Sequence, residues 1–163
     1  MELTFRDNVR PSDRDHVRRI VAASGFFTAA EIDVAVELVD ERFAKGSPSG
    51  YEFVFAEQEG RVIGYACYGE IACTVASYDL YWIAVEPGLR RRGLGRQLMQ
   101  LVESRIAQRG GRKVYAETSS RPLYDATREF YLRCGYRESA RFPDFYAVGD
   151  AKVVYEKTLT RGC

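Results

Sequence analysis

Residues 80–96 constrain this chain more than any other segment. Residues 80–85 (LYWIAV) are apolar throughout, as in a central strand covered on both faces. Pro87 and Gly88 end the run. From Gly93 to about Gln108, the residues Leu94, Leu98, Leu101, Val102 and Ile106 recur at helical spacing. A strand therefore runs into a turn that opens a helix, and the turn carries Arg90, Arg91, Arg92 and Arg96. Gly93 and Gly95 let the backbone approach a ligand without Cβ clashes. The first N–H groups of a helix lack intrahelical partners, and its dipole favours negative charge there. Such a turn suits a pyrophosphate, with arginines adding charge-assisted contacts. It is not a dinucleotide fingerprint, because G-x-G-x-x-G is absent. It is not a P-loop, because no Gly-Lys-Ser/Thr follows. Taken alone, the turn can also be a loop with a solvated basic face.

The flanking sequence supplies an α/β setting. Leu3 and Phe5 alternate with polar neighbours as a short strand. Pro11, Ser12 and Asp13 start a helix reaching about Ala23, with Val17, Ile20 and Val21 on one face. Thr28 and Glu31 form a capping-box pattern ahead of Ile32, Ala35, Val36, Val39 and Phe43. Residues 45–50 read as a loop. Strands over 53–57 and 62–68 flank a turn at Glu59–Gly60, and 70–77 reads as a turn or bulged connection. After the central helix, Gly110 and Gly111 stop the chain, and 113–118 forms another strand. Pro122 sits near the start of a helix reaching Cys134, with Gly135 as its cap. Strands near 136–141 and 151–158 close the order, joined by a loop containing Gly149 and Asp150. The expectation is one α/β domain over residues 1–163 with a mixed sheet, and no repeat or linker.

Composition narrows the function. With 46% hydrophobic residues the chain has enough for a core, and 24 basic against 23 acidic residues give no global field for nucleic acid or a membrane surface. The basic residues cluster instead at one turn. Cys67, Cys73, Cys134 and Cys163 form no C-x-x-C pair and His16 is the single histidine, so no metal site is expected. The polar N-terminus lacks an apolar signal core, and no run of about 18 apolar residues exists. A cytoplasmic protein with reduced thiols is expected.

Arg90-x-x-Gly93-x-Gly95 resembles the R/Q-x-x-G-x-G/A signature of the GNAT superfamily of acetyltransferases. The apolar strand and Val85-Glu86-Pro87 before it match as well. So does Phe130-Tyr131-Leu132-Arg133-Cys134-Gly135-Tyr136 downstream, which is similar to the family's F-Y-x-x-x-G-F/Y. Two motifs in the right order on the right elements are far more specific than either alone. The resemblance covers nearly the whole chain. It implies a mixed, mostly antiparallel sheet splayed at the central strand and flanked by about four helices. It implies acetyl-CoA as co-substrate, no metal, an amine acceptor, and a monomer or homodimer. By resemblance, the backbone of Ile83, Ala84 and Val85 pairs with the pantetheine arm, and Arg91, Arg92, Gly93, Leu94, Gly95 and Arg96 hold the pyrophosphate. Where many members carry an asparagine, seven residues before the helix tyrosine, this chain has Tyr124.

Acetyl transfer to an amine needs a base, a stabilised oxyanion and a proton for the departing thiolate, because a free alkylamine has a pKa of about 10. Tyr131 matches the tyrosine that serves as general acid in many GNAT enzymes. Glu117, near a strand end, and Asp79, ahead of the central strand, are the candidate bases; either can instead be a solvated carboxylate. Asp144, Phe145, Tyr146, Tyr81 and Tyr68 are candidates to line the acceptor pocket, since acidic and aromatic groups together suit an amine. His16 is assigned no role, and the cysteines read as packing residues. The rival functions are a non-catalytic acyl-CoA-binding sensor of the same fold and a nucleic-acid binder using the arginines. The small net charge and the lack of a reader motif argue against the latter.

Overall fold

Each periodic segment of the sequence becomes an element in the computed structural model, which describes residues 2–90 and 92–160. In chain order these are β1 (Leu3–Arg6), α1 (Asp13–Ala23), α2 (Ala29–Lys45), β2 (Glu52–Gln58), β3 (Arg61–Glu70), β4 (Ser77–Val85), α3 (Leu94–Gln108), β5 (Lys113–Ser119), α4 (Asp125–Arg133), β6 (Arg137–Ala147) and β7 (Asp150–Thr158). The strands form a mixed seven-stranded sheet in the order β1-β2-β3-β4-β5-β7-β6. Among the described residues no helix is long and apolar enough to cross a membrane. The expected order of elements is the observed one. The chain divides into two compact units, one built from the residues up to Gly69 with Leu80–Ser104, the other from Glu70–Asp79 with the residues from Arg105 onward.

The first unit is organised by a core between two helices and a hairpin. Val17, Ile20 and Val21 of α1 and Ala35, Val36 and Val39 of α2 pack with Phe53, Phe55, Val62, Tyr65 and Cys67 of β2 and β3. The Phe53 and Phe55 rings stack 5.5 Å apart. Charge is tied down around this core. Arg6 pairs with the buried Asp13 at 2.5 Å and with Glu57 at 2.6 Å. The Asp13 carboxylate also accepts the Arg10 N–H at 2.7 Å, so this buried charge is both paired and hydrogen-bonded. The capping box forms as read: the Glu31 N–H donates to Thr28 Oγ1 at 3.2 Å, and the Thr28 N–H donates to Glu31 Oε2 at 2.7 Å.

The second unit is a ladder. β4 pairs in parallel with β5 over Ser77–Asp79, β5 pairs antiparallel with β7 from Lys113↔Thr158 to Ser119↔Lys152, and β7 pairs antiparallel with β6. Three elements differ from expectation. β4 begins at Ser77 and not at Leu80, so Asp79 lies within the central strand and not ahead of it. The helix expected from Pro122 is a single 3-10 turn, Pro122–Tyr124, followed by α4. The strand expected near 136–141 continues to Ala147, although Pro143 lacks the N–H a regular ladder needs. A bulge accommodates it: Phe142 faces Lys152 and Ala147 faces Asp150, so residues 143–146 oppose residue 151 alone. Asp144 takes a left-handed φ of 56° in this bulge, and its Oδ1 accepts the Gly149 N–H at 2.7 Å.

Gly69, near the end of β3, is where the first unit tolerates least. A Cβ there would sit 2.0 Å from the carbonyl oxygen of Gly50, a backbone atom that cannot swing aside. Gly69→Ala should therefore cost about 1–3 kcal/mol as overpacking. A lower urea midpoint with an unchanged slope would register it; an unchanged midpoint would mean that the loop at Gly50 yields freely.

Candidate active site

The arginine turn lies in the first unit, and the exit of β4 leading into it is pinned. The Glu86 N–H donates to the Ile63 carbonyl at 2.9 Å. The Glu86 carboxylate is shared by Arg61, at 2.8 Å, and Arg19, which also donates to the Val62 carbonyl at 2.6 Å. Pro87–Leu89 then make one 3-10 turn. Gly93 adopts φ 79°, a left-handed conformation that suits glycine, and its carbonyl accepts the Gln97 N–H at 3.0 Å as α3 begins. A Cβ on Gly93 would meet nothing within 4 Å, so the turn faces open space.

Charge around this turn is left over. Arg6, Arg19, Arg42 and Arg61 of the same unit each engage a carboxylate. Among the described residues, Arg90, Arg92 and Arg96 engage none, and all three are exposed. The Arg90 guanidinium instead lies 5.1 Å from the ring centroid of Phe26. Phe26 meets Phe27, which packs edge-on against Trp82 of β4 at 4.9 Å. Leu94 is buried and anchors the first turn of α3. Arg91 lies outside the described residues. β4 is the middle strand of the seven, as the apolar run suggests, but Ile83, Ala84 and Val85 are partly exposed rather than sealed on both faces. Tyr81 is exposed and meets Tyr51 edge-on at 5.4 Å, whereas Tyr68 is buried and so does not line an open surface.

The second unit holds the proton-transfer candidates, and the pleat sorts them. Along β5 and β7 successive side chains alternate faces. Asp79 faces Tyr115 across the β4–β5 pair, which sets Asp79, Tyr115, Glu117 and Ser119 on one face, shared with Lys152 and Val154 of β7. Tyr131 of α4 is buried against Tyr155 at 5.4 Å and Tyr136 at 6.0 Å. Tyr155 is the partner of Ala116, so Tyr131 covers the opposite face.

The electrostatics differ on the two faces. Burial pushes the Tyr131 hydroxyl well above the ordinary tyrosine range, with Cys134 and Tyr155 adding to the rise, so it stays protonated at any physiological pH. Burial also raises the Asp79 carboxyl, as does the nearby Glu117, while Lys152 acts the other way. Glu117 is more exposed and pairs with the Lys152 ammonium at 2.9 Å. Tyr124 is buried in its 3-10 turn under the Arg121 guanidinium, 5.5 Å from the ring centroid. Asp144 and Tyr146 lie exposed on the β6 bulge, with Tyr146 edge-on to Phe145 at 5.0 Å. Among the cysteines, Cys67 is buried as read but Cys73 is exposed. Among the described residues no cluster of three or more His, Cys, Asp or Glu is arranged to hold a metal.

Two residues at the site escaped the sequence reading, Lys152 and Phe26. Alternation in KVVYEK could have set Lys152 apart from Val153, but only the β5–β7 register brings it to Glu117. Phe26 sits in a short interhelical loop with no periodic signal of its own.

Comparison with known proteins bears on both halves. The acetyltransferase (GNAT) family matches residues 17–136, which include both sequence motifs. A candidate acetyltransferase of the GNAT family from Desulfovibrio desulfuricans is 45% identical, with a TM-score of 0.96 over 98% of this chain and 100% of that one. An aminoglycoside 6'-N-acetyltransferase in complex with coenzyme A is 19% identical, with a TM-score of 0.75 over all of both chains. The ribosomal-protein-S18-alanine N-acetyltransferase of Escherichia coli is 18% identical, with a TM-score of 0.76 over 99% of this chain and 97% of that one. These last two likenesses show the fold alone. No curated protein matches the chain. By its family match and its likeness to the Desulfovibrio protein along essentially its whole length, this chain belongs to the GNAT family of acetyltransferases.

Proposed function

We propose that this protein is an N-acetyltransferase that moves an acetyl group from acetyl-CoA directly to a primary amine in a ternary complex. The observation that carries this reading is the turn before α3. Within a GNAT chain, three arginines without carboxylate partners surround a left-handed glycine at a helix N-terminus that faces open space. Dipole and guanidinium charge there favour a polyanion, and a relative of the same fold is known in complex with coenzyme A. Acetyl-CoA supplies the activated acyl group. The backbone of Arg91, Arg92, Gly93, Leu94, Gly95 and Arg96, with Arg90 alongside, binds its pyrophosphate; Ile83, Ala84 and Val85 hold the pantetheine arm.

The chain's own residues divide the proton work. Asp79 is the base: burial raises its carboxyl toward the working pH, where a base works best. Glu117, more exposed and already holding an ammonium, serves to bind the cationic acceptor. Tyr131 keeps its proton at neutral pH, and its place in the Phe130–Tyr136 motif makes it the donor to the departing thiolate. Asp144 and Tyr146 of the second unit line the acceptor side. Aminoglycosides and a ribosomal protein are acceptors of other proteins sharing this fold, and fold does not choose among acceptors. The free thiols of Cys67 and Cys73 support a reducing, cytoplasmic setting.

Three measurements test this reading. Gly93→Val forces a β-branched residue into a left-handed turn and should abolish the thermal shift that acetyl-CoA produces; a surviving shift would place the ligand elsewhere. Tyr131→Phe should slow acetyl transfer, read as thiol release over a panel of amines and peptides, by about 10–1000-fold while coenzyme A still binds. Equal rates would remove Tyr131 from the chemistry. In a carboxyl NMR titration Asp79 should protonate above the ordinary value of about 3.9. Glu117→Gln deletes a neighbouring negative charge and should move that midpoint down; Lys152→Met deletes a positive one and should move it up.

A further inference from the structure

The second unit carries an ammonium group already seated beside the candidate catalytic carboxylates. The Lys152 Nζ lies 2.9 Å from Glu117 Oε2. It also lies 4.5 Å from the ring centroid of Phe145 and 5.7 Å from that of Phe142. These groups come from three places. Glu117 is the diagonal neighbour of Lys152 across the β5–β7 pair, Phe142 is its direct partner on β6, and Phe145 is delivered by the bulge. A carboxylate with two aromatic faces is the environment that a primary alkylammonium seeks: N–H groups donate to the carboxylate and the charge rests on the rings. The Lys152 side chain is 21% exposed, whereas Glu117 is 56% and Phe145 is 55% exposed, so the cage opens to solvent on the side away from the lysine stem.

We propose that Lys152 is an internal stand-in for the acceptor, its ammonium filling the alkylammonium subsite formed by Glu117, Phe142 and Phe145 until an incoming primary amine displaces it. This rests on the reading that the chain acetylates an amine, and it names the acceptor as one that presents a primary ammonium on a flexible alkyl arm, like the lysine it replaces. Exchange of one ammonium for another leaves the charge opposite Glu117 and Asp79 unchanged. It costs only the surface ion pair and the ring contact that Lys152 gives up. Lys152 is thereby a specificity-determining residue that sets how strongly an amine must bind to enter.

The test is the binding of n-butylammonium chloride to the full chain, followed through the Phe145 ring resonances by NMR, with sodium chloride at equal ionic strength as the control. Removing the competitor in Lys152→Met should tighten the dissociation constant about 3- to 10-fold, the worth of one exposed ion pair plus one ring contact. Lys152→Arg, which keeps a cation in the cage, should return it to the wild-type value. Lys152→Gln is the second variant should the methionine change impair folding. Tetramethylammonium, which has no N–H to donate, should bind more weakly than n-butylammonium. Equal or weaker n-butylammonium binding in both Lys152→Met and Lys152→Gln overturns the proposal. Failure of acetyl transfer to every amine overturns the enzymatic reading instead, and the binding constants do not depend on it.

Discussion

The pleat of the β5–β7 ladder decides which side chains of the second unit can meet. With a period of two, a single register, Glu117↔Val154 and Ala116↔Tyr155, sends the carboxylates one way and the tyrosines the other. A slip of one residue would exchange the faces, burying Glu117 against α4 and exposing Tyr155. The separation gives the two sets different surroundings. Burial raises the Asp79 carboxyl on one face and the Tyr131 phenol on the other.

In the first unit the corresponding constraint is charge pairing. Its structural arginines are consumed locally. Arg6 holds the start of α1 to β2, and Arg19 and Arg61 hold Glu86 at the exit of β4. Among the described residues, Arg90, Arg92 and Arg96 beyond that pinned exit have no such partner. The backbone that approaches the open turn is therefore already positioned. The stack of Arg90 on Phe26, leading through Phe27 to Trp82, is the one described contact that orients a guanidinium there without spending its charge.

Much of this was legible before any coordinates. Thr28 and Glu31 are a local signal and formed the local structure they specify; so did the strand–turn–helix at residues 80–96, because glycine and arginine at those positions act through near neighbours. The family followed from two motifs whose order alone is informative. What was not legible is what depends on register. Lys152 lies 35 positions from Glu117 in sequence and meets it only because β7 pairs with β5 at one offset. The length of β6 was misjudged for a similar reason: Pro143 reads as a strand breaker in one dimension, whereas an edge strand can bulge around it. Tyr68 has the composition of a pocket residue, and only packing reveals that it is buried.

That bulge has a bearing on how the protein behaves among its own copies. β6 is the terminal strand of the sheet order, eleven residues long and exposed at almost every position, with Phe142, Phe145 and Tyr146 on view. A flat edge of that length and composition would be a template for foreign strands. Residues 143–146 break the regular spacing of its backbone groups, Pro143 removes one donor, and the left-handed Asp144 turns the chain out of line. The kink that brings Phe145 over the Lys152 ammonium thus also denies a second chain a continuous edge on which to grow.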